Sequence, residues 1–388
     1  MRDLQRHADT SGRPAAPPAL DAELCESLFG SLQRSDQRAK AQKYVLGLLS
    51  VRGRKTLRNI AAHFGGAAAQ QNVHHFISTS PWDWMPVRQA LARYAHRALA
   101  PDAWVVSSLL IPKTGPHSAG VDEQPAPTGQ VFKGQHAVGA WLASGRSAVP
   151  VHWHLRLSAR WGADPLRRRA NIPPDAAVGT VEECVRQAMS DVLGTDGVPH
   201  GPVVVDVADV DAVSVACFLS SAGIPFVIRA DSDTRLRLDR SRLPRHGGQE
   251  RTAGELADAL PHLRQRVNPG DGLTTASAIP VAASPARSGR MLLLGEWGPA
   301  GQPRRRVWLT NVAAPASALR LARLSDAVER DFAAISENVG MRDFTGRSFP
   351  GWHHHITLAS VAHLAVALES PAPARASDTS HNKSITVR

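Results

Sequence analysis

The chain has 388 residues, 43% of them hydrophobic, with 45 Lys and Arg against 34 Asp and Glu, a formal charge of +11. That length allows two or three domains and a large core, and no apolar run approaches the roughly eighteen residues of a membrane helix. The basic excess is mostly Arg. It fits a polyanionic partner, because guanidinium pairs with phosphate oxygens through two parallel hydrogen bonds; a general Arg and Ala bias accounts for it equally well. Cys25, Cys184 and Cys217 lack metal-ligand spacing, and Met1 to His7 has no apolar segment behind it. Both suit a cytoplasmic protein without a secretory signal.

Residues 1–20 are polar and rich in Pro and Ala, and are expected to form a disordered arm. Residues 21–100 are helical in pattern and form an expected all-α N-terminal domain. Leu24, Leu28 and Leu32 step along one face, and Thr56 to Gly65 opens on a capping residue and stops at a glycine. Helices follow over 67–77 and 86–99. Two short helices across a Gly turn, flanked by Arg52, Arg54, Lys55 and Arg58, suit a helix-turn-helix-like reader of double-stranded DNA. A plain helical bundle has the same pattern.

Strands are expected over 103–111, 135–142 and 150–157, the last alternating Val151, Trp153, Leu155 and Leu157 with His152, His154 and Arg156. A helix over 181–193 leads to Val203-Val204-Val205-Asp206, a buried strand ending in a carboxylate. A helix over 211–221 and a strand over 226–230 follow. The order β-β-β-α-β-α-β is that of the ribonuclease-H-like fold, an α/β mixed sheet with helices on its faces, whose first part would span 101–231. Asp206 lies where open α/β sheets place their chemistry, although it can equally cap the next helix. Residues 232–315 read as a β-rich insertion, with a helix near 254–263 and strands at 291–294 and 306–309. The core resumes over 316–369 with a helix to residue 335 carrying Glu329 and a final apolar helix over 356–367. Residues 370–388 form an expected disordered tail.

Several segments then match one pattern in order: Trp104-Val105-Val106, Pro112-Lys113-Thr114-Gly115, Pro150 to Leu155, Trp161, Asp164-Pro165, Arg167-Arg168-Arg169, Val203 to Asp206, Glu329-Arg330-Asp331-Phe332, and Gly346 to His355. By these the chain resembles DDE-superfamily bacterial transposases of the insertion sequence 701 family. The resemblance implies two-metal phosphoryl transfer, with three carboxylates holding a pair of Mg²⁺ ions that cut and join DNA strands. It places the second acid at Asp206 and the third at Glu329, the residues expected to hold metal. Where the pattern has its first acid, this chain has Ser107 and Ser108. A hydroxyl is neutral at pH 7 and cannot supply the missing charge. Asp102 precedes the strand, and Asp122 and Glu123 are expected in a loop beyond it.

The resemblance therefore implies a DNA-binding protein with a degenerate site, impaired or inactive in strand transfer and open to use as a domesticated regulator. An active Mg-dependent transposase and an unrelated chemistry in the old pocket are the alternatives. Lys113, Arg167, Arg168, Arg169, Arg304, Arg305, Arg306 and Arg347 join the four N-terminal basic residues as expected DNA contacts. A homodimer is expected only by analogy. His353-His354-His355 would pack or meet phosphate at a helix start, because adjacent helical residues point in different directions. His152 and His154 have strand spacing but make only two ligands. Ser107 and Ser108 lack a paired base for nucleophilic work, and there is no Walker-type phosphate loop.

Overall fold

A computed structural model describes residues 20–125, 129–244, 249–282, 291–297 and 306–369. The expected arm up to residue 19 and the tail beyond 369 lie outside them. Helices α1 (Ala22–Phe29), α2 (Ser35–Ser50), α3 (Leu57–His63), α4 (Gly66–Ser78) and α5 (Met85–Leu99) precede the first strand. Side chains start two of them: Asp21 accepts from the Leu24 N–H, and Thr56 from the Asn59 N–H.

The central sheet is built from β1 (Ala103–Pro112), β2 (Val121–Pro125), β3 (Val131–Ala143) and β4 (Ala148–Leu155). Helices α6 (Asp164–Arg169) and α7 (Val181–Leu193) lead to β5 (Val203–Asp206), then α8 (Ala212–Ser221) and β6 (Phe226–Ala230). The strand order β4-β3-β1-β5-β6 has β3 antiparallel to both neighbours and β1, β5 and β6 parallel, as a ribonuclease-H-like sheet requires. Residues 203–205 are buried, which explains their unbroken β-branched run. Thr180 and Glu183 close a reciprocal capping box that fixes the start of α7.

The segment read as an insertion holds β7 (Arg235–Leu238), β8 (Glu250–Thr252), α9 (Ala253–Ala259), β9 (Arg264–Val267), β10 (Thr274–Ala282), β11 (Met291–Trp297) and β12 (Val307–Thr310). It extends the core sheet, because β12 pairs antiparallel with β6 and carries β11 and β10 outward, giving twelve strands among the described residues. Then come α10 (Pro315–Ala322), α11 (Leu324–Asp331), a π-helical turn (Phe332–Ser336) and α12 (Phe349–Glu369).

Two expectations need correction, and one face is newly defined. Asp122 and Glu123 lie on strand β2, not in a loop, and pair with Gly134 and Lys133. Their polar sequence hides an edge strand that reads poorly as β. The histidine face of β4 is covered: His152 meets Thr195 at 3.1 Å and His154 meets Asp191 of α7 at 2.7 Å. The last helix begins at Phe349, seven residues early, because its histidines are interior residues. It is buried on nearly every side and packs on α2, α4, α5 and β4, so the N-terminal helices share one core with the sheet. No helix among the described residues is long and apolar enough to cross a membrane.

Candidate active site

Parallel pairing sets the site. Ser107 of β1 is the register partner of Asp206 at the end of β5, so both side chains leave the same face of the sheet. Ser107 also pairs with Gly139, and Gly139 with Trp153, so the Trp153 ring lies on this face too. A Cβ at Gly139 would stand 2.7 Å from that ring, so the glycine is what lets the indole lie flat there. Helix α11 covers the same face and brings Glu329. Ser107, Ser108, Asp206, Arg229, Glu329 and Arg342 line a cavity of about 310 Å³ floored by Trp141 and Trp153. Trp141 Nε1 and Ser325 Oγ are buried without a hydrogen-bond partner among the described residues, and both residues line this cavity.

One guanidinium ties the acids together. Arg306 donates from Nη1 to Asp206 Oδ2 at 3.2 Å and to Asp326 Oδ1 at 3.2 Å, and from Nη2 to Glu329 Oε1 at 3.0 Å. Arg229 Nη1 donates to the other Asp206 oxygen at 3.3 Å. The Asp206 side chain is only 7% exposed, so its charge is met almost wholly by these two arginines. Burial opposes the charge on Arg306, but Asp206, Glu329 and Asp326 outweigh it and hold the guanidinium above its ordinary range.

Of the remaining acids, Asp122 and Asp102 lie apart from Asp206, and Asp326 shares its guanidinium. Asp122 lies opposite Gly134, the partner of Pro112, five residues along β1 from Ser107 and so about 16 Å away at strand rise. The Asp102 carboxylate accepts from the Gly145 N–H at 3.4 Å, at the other end of the strand. Asp326 is one helical turn before Glu329 and 63% exposed. It lines a separate cavity with Arg306, Glu296, Trp308 and Arg323. The i, i+3 spacing of the two acids on one helix was the available signal for it.

The expected DNA contacts divide. Arg52, Arg54, Arg58, Arg168, Arg169 and Arg347 are exposed. Lys55 is 6% exposed, its N–H held by Asp343, so it has no free surface to offer. Arg167 spends its guanidinium on the carbonyls of Pro173, Pro174 and Ala176. Lys113 donates to Phe344 O at 2.5 Å, and burial pushes its pKa down to about 8. Arg306 sits among the acids rather than free for phosphate, and Arg304 and Arg305 lie outside the described residues. The segments that carry the exposed arginines are nevertheless gathered: Asp343 binds the 52–58 segment, Ala119 N–H donates to Arg347 O, and Phe349 N–H to Ala170 O.

The three histidines at the start of α12 pack and do not face phosphate. His353 stacks on Trp84 and receives a hydrogen bond from Arg88, His354 stacks on Trp82, and His355 bonds to Tyr44 and Gly340.

A mixed sheet of this strand order, with one acid closing a central parallel strand and another on a covering helix, defines a ribonuclease-H-like nuclease fold. The chain belongs to the DDE superfamily endonuclease family, which matches residues 27–279. That match takes in Ser107 and Asp206 and stops short of Arg306 and Glu329. No curated protein matches the chain.

Endonucleases of this superfamily are generally Mg-dependent. The donor set here does not fit a divalent pair: the two acids of the cavity, and Asp326 beside it, are already paired to one guanidinium, with a neutral hydroxyl at the neighbouring strand position. Among the described residues, no group of three or more His, Cys, Asp or Glu side chains is disposed to hold a metal ion.

Proposed function

We propose that this protein is a DNA-binding derivative of a transposase of the insertion sequence 701 family, with a degenerate site that no longer supports strand transfer. The observation that carries the reading is Ser107 in register with Asp206, where the family pattern calls for an acid. Family membership supports DNA as partner, and the exposed arginines around residues 52–58, 168–169 and 347 supply a surface for its backbone. The helices of residues 21–100 are the segment proposed to engage the duplex, and a domesticated regulatory role follows if binding survives without cutting.

The test uses a duplex carrying the element's terminal inverted repeats, with Mg²⁺ or Mn²⁺. Binding is expected to weaken about tenfold or more as salt rises from about 50 to 200 mM, since phosphate contacts release counterions. No nicked or joined product is expected. Product that disappears in Asp206→Ala would show an active transposase, and in Asp326→Ala would name its third acid. Affinity indifferent to salt would point to another chemistry in the pocket.

A further inference from the structure

We infer that Arg306, which lines the neighbouring cavity and reaches across to Asp206 and Glu329, is the cation that holds the acids of this pocket, so that the guanidinium, and not only the missing acid, keeps divalent ions out. The inference rests on the degenerate-site reading and adds a second lock to it. The geometry is that of a bridging cation. Three carboxylates from two elements, Asp206 on β5 and Asp326 and Glu329 on α11, converge on two nitrogens of one side chain at 3.0–3.2 Å. Arg306 immediately precedes β12, which pairs with β6 beside β5, so the sheet itself delivers its side chain to the end of β5. Arg229 reaches Asp206 from β6.

A guanidinium is weakly hydrated, permanently charged and shaped to share its N–H groups among carboxylates, whereas a hard divalent ion needs those oxygens stripped of competing donors. With Arg306 in place, each carboxylate offers its charge to a partner that cannot be deprotonated. Restoring an acid at position 107 would add one anion beside two carboxylates, Asp206 and Glu329, already matched by Arg306 and Arg229. Removing Arg306 would free Glu329 and one oxygen of Asp206 but leave those two acids without an anion at position 107, since Asp326 lines the neighbouring cavity. Each change alone is therefore insufficient, and the two together are cooperative.

The experiment is Mn²⁺ binding to the full chain without DNA, read by the loss of the free-ion electron paramagnetic resonance signal and by the melting temperature with and without Mn²⁺. Ser107→Asp combined with Arg306→Gln is expected to bind roughly a hundredfold more tightly than the wild type or either single variant, and to melt higher when Mn²⁺ is present. Ser107→Asp with Arg306→Lys keeps the positive charge and should bind as weakly as the wild type. Ser107→Asn with Arg306→Gln keeps the shape without the added anion and should also stay weak, and it reports whether the pocket still folds. Tight binding by Ser107→Asp alone would overturn the inference, because the guanidinium would then yield to the ion. So would tight binding by the wild type that Asp206→Asn abolishes. Neither result depends on DNA cleavage, so the second lock can fail while the degenerate-site reading stands.

Discussion

Lowering the pH from about 7.5 to about 5.5 is expected to cost the protein on the order of 5 kcal/mol, a large part of the 5–15 kcal/mol that holds a typical domain together. The groups responsible are interior histidines. Burial pushes His136, His355 and His363 down to about 4 and His152 to about 3, and takes His353 well below its ordinary value. Their neighbours modify this: Arg156 near His136, Arg88 near His152 and His353, and Lys113 near His355 add to the depression. Asp209, Asp191, Asp343 and Asp331 oppose it.

Hydrogen bonding fixes the neutral form. His355 Nε2–H donates to Gly340 O while Nδ1 accepts from the Tyr44 hydroxyl. His363 Nε2–H donates to Ala148 O while Nδ1 accepts from Ser336. His353 Nδ1 accepts from Arg88, so a proton there would face another donor. Burial also lowers His354, to about 4, but both its nitrogens face carbonyl oxygens and bonding there favours the charged ring, so it adds little to the loss.

A folded-state pKa below the unfolded value near 6.5 means the unfolded chain binds more protons between about pH 6.5 and 4. Stability is therefore full above about pH 6.5 and falls as pH drops toward 4, by on the order of 1 kcal/mol per histidine at about pH 5.5. Urea midpoints across this range measure it. The midpoint should fall steeply, and His355→Gln should remove about one proton from the slope. A midpoint that stays level from neutral to acidic pH would contradict the assignment of these rings as neutral and interior.

Replacing Trp153 by Ala is expected to cost about 3–5 kcal/mol and to open the pocket floor. The indole is fully buried, meets Trp141 edge-on at 5.9 Å and donates from Nε1 to Ser360 Oγ at 3.0 Å. It also covers Gly139, so Gly139→Ala should cost about 1–3 kcal/mol by forcing the ring off its seat. The two effects share one contact. In a Trp153→Ala background the Gly139 change should lose most of its cost, because there is no ring left to strike. Denaturant titrations of the two single variants and the double variant give the coupling, and strictly additive costs would mean that the ring and the glycine do not meet.

Much of this pocket was legible in the chain. Three valines and an aspartate announce a central strand with a carboxylate at its end, and helical spacing over 181–193 marks the helix before it. Strand periodicity located β1, β3 and β4 to within a few residues, but the pairing that sets Ser107 beside Asp206 joins β1 to β5 and is visible only in the fold. Arg306 was not legible. It closes a run of three arginines whose composition suggests phosphate, and only β12 lying beside β6 shows that the third one turns inward. The histidines at the head of α12 misled for a related reason. Sequence scales count His as polar, but a neutral ring with a hydrogen-bond partner and a tryptophan beneath it packs as an aromatic.

The acids of this pocket are paired with arginine, and on the proposed reading this pairing takes the place of divalent ions. Anomalous scattering from crystals soaked in Mn²⁺ examines that most directly. The expected map has no anomalous peak beside Asp206 and Glu329, with continuous density joining both carboxylates to the Arg306 guanidinium. A peak between those two acids, with Arg306 swung away, would contradict it.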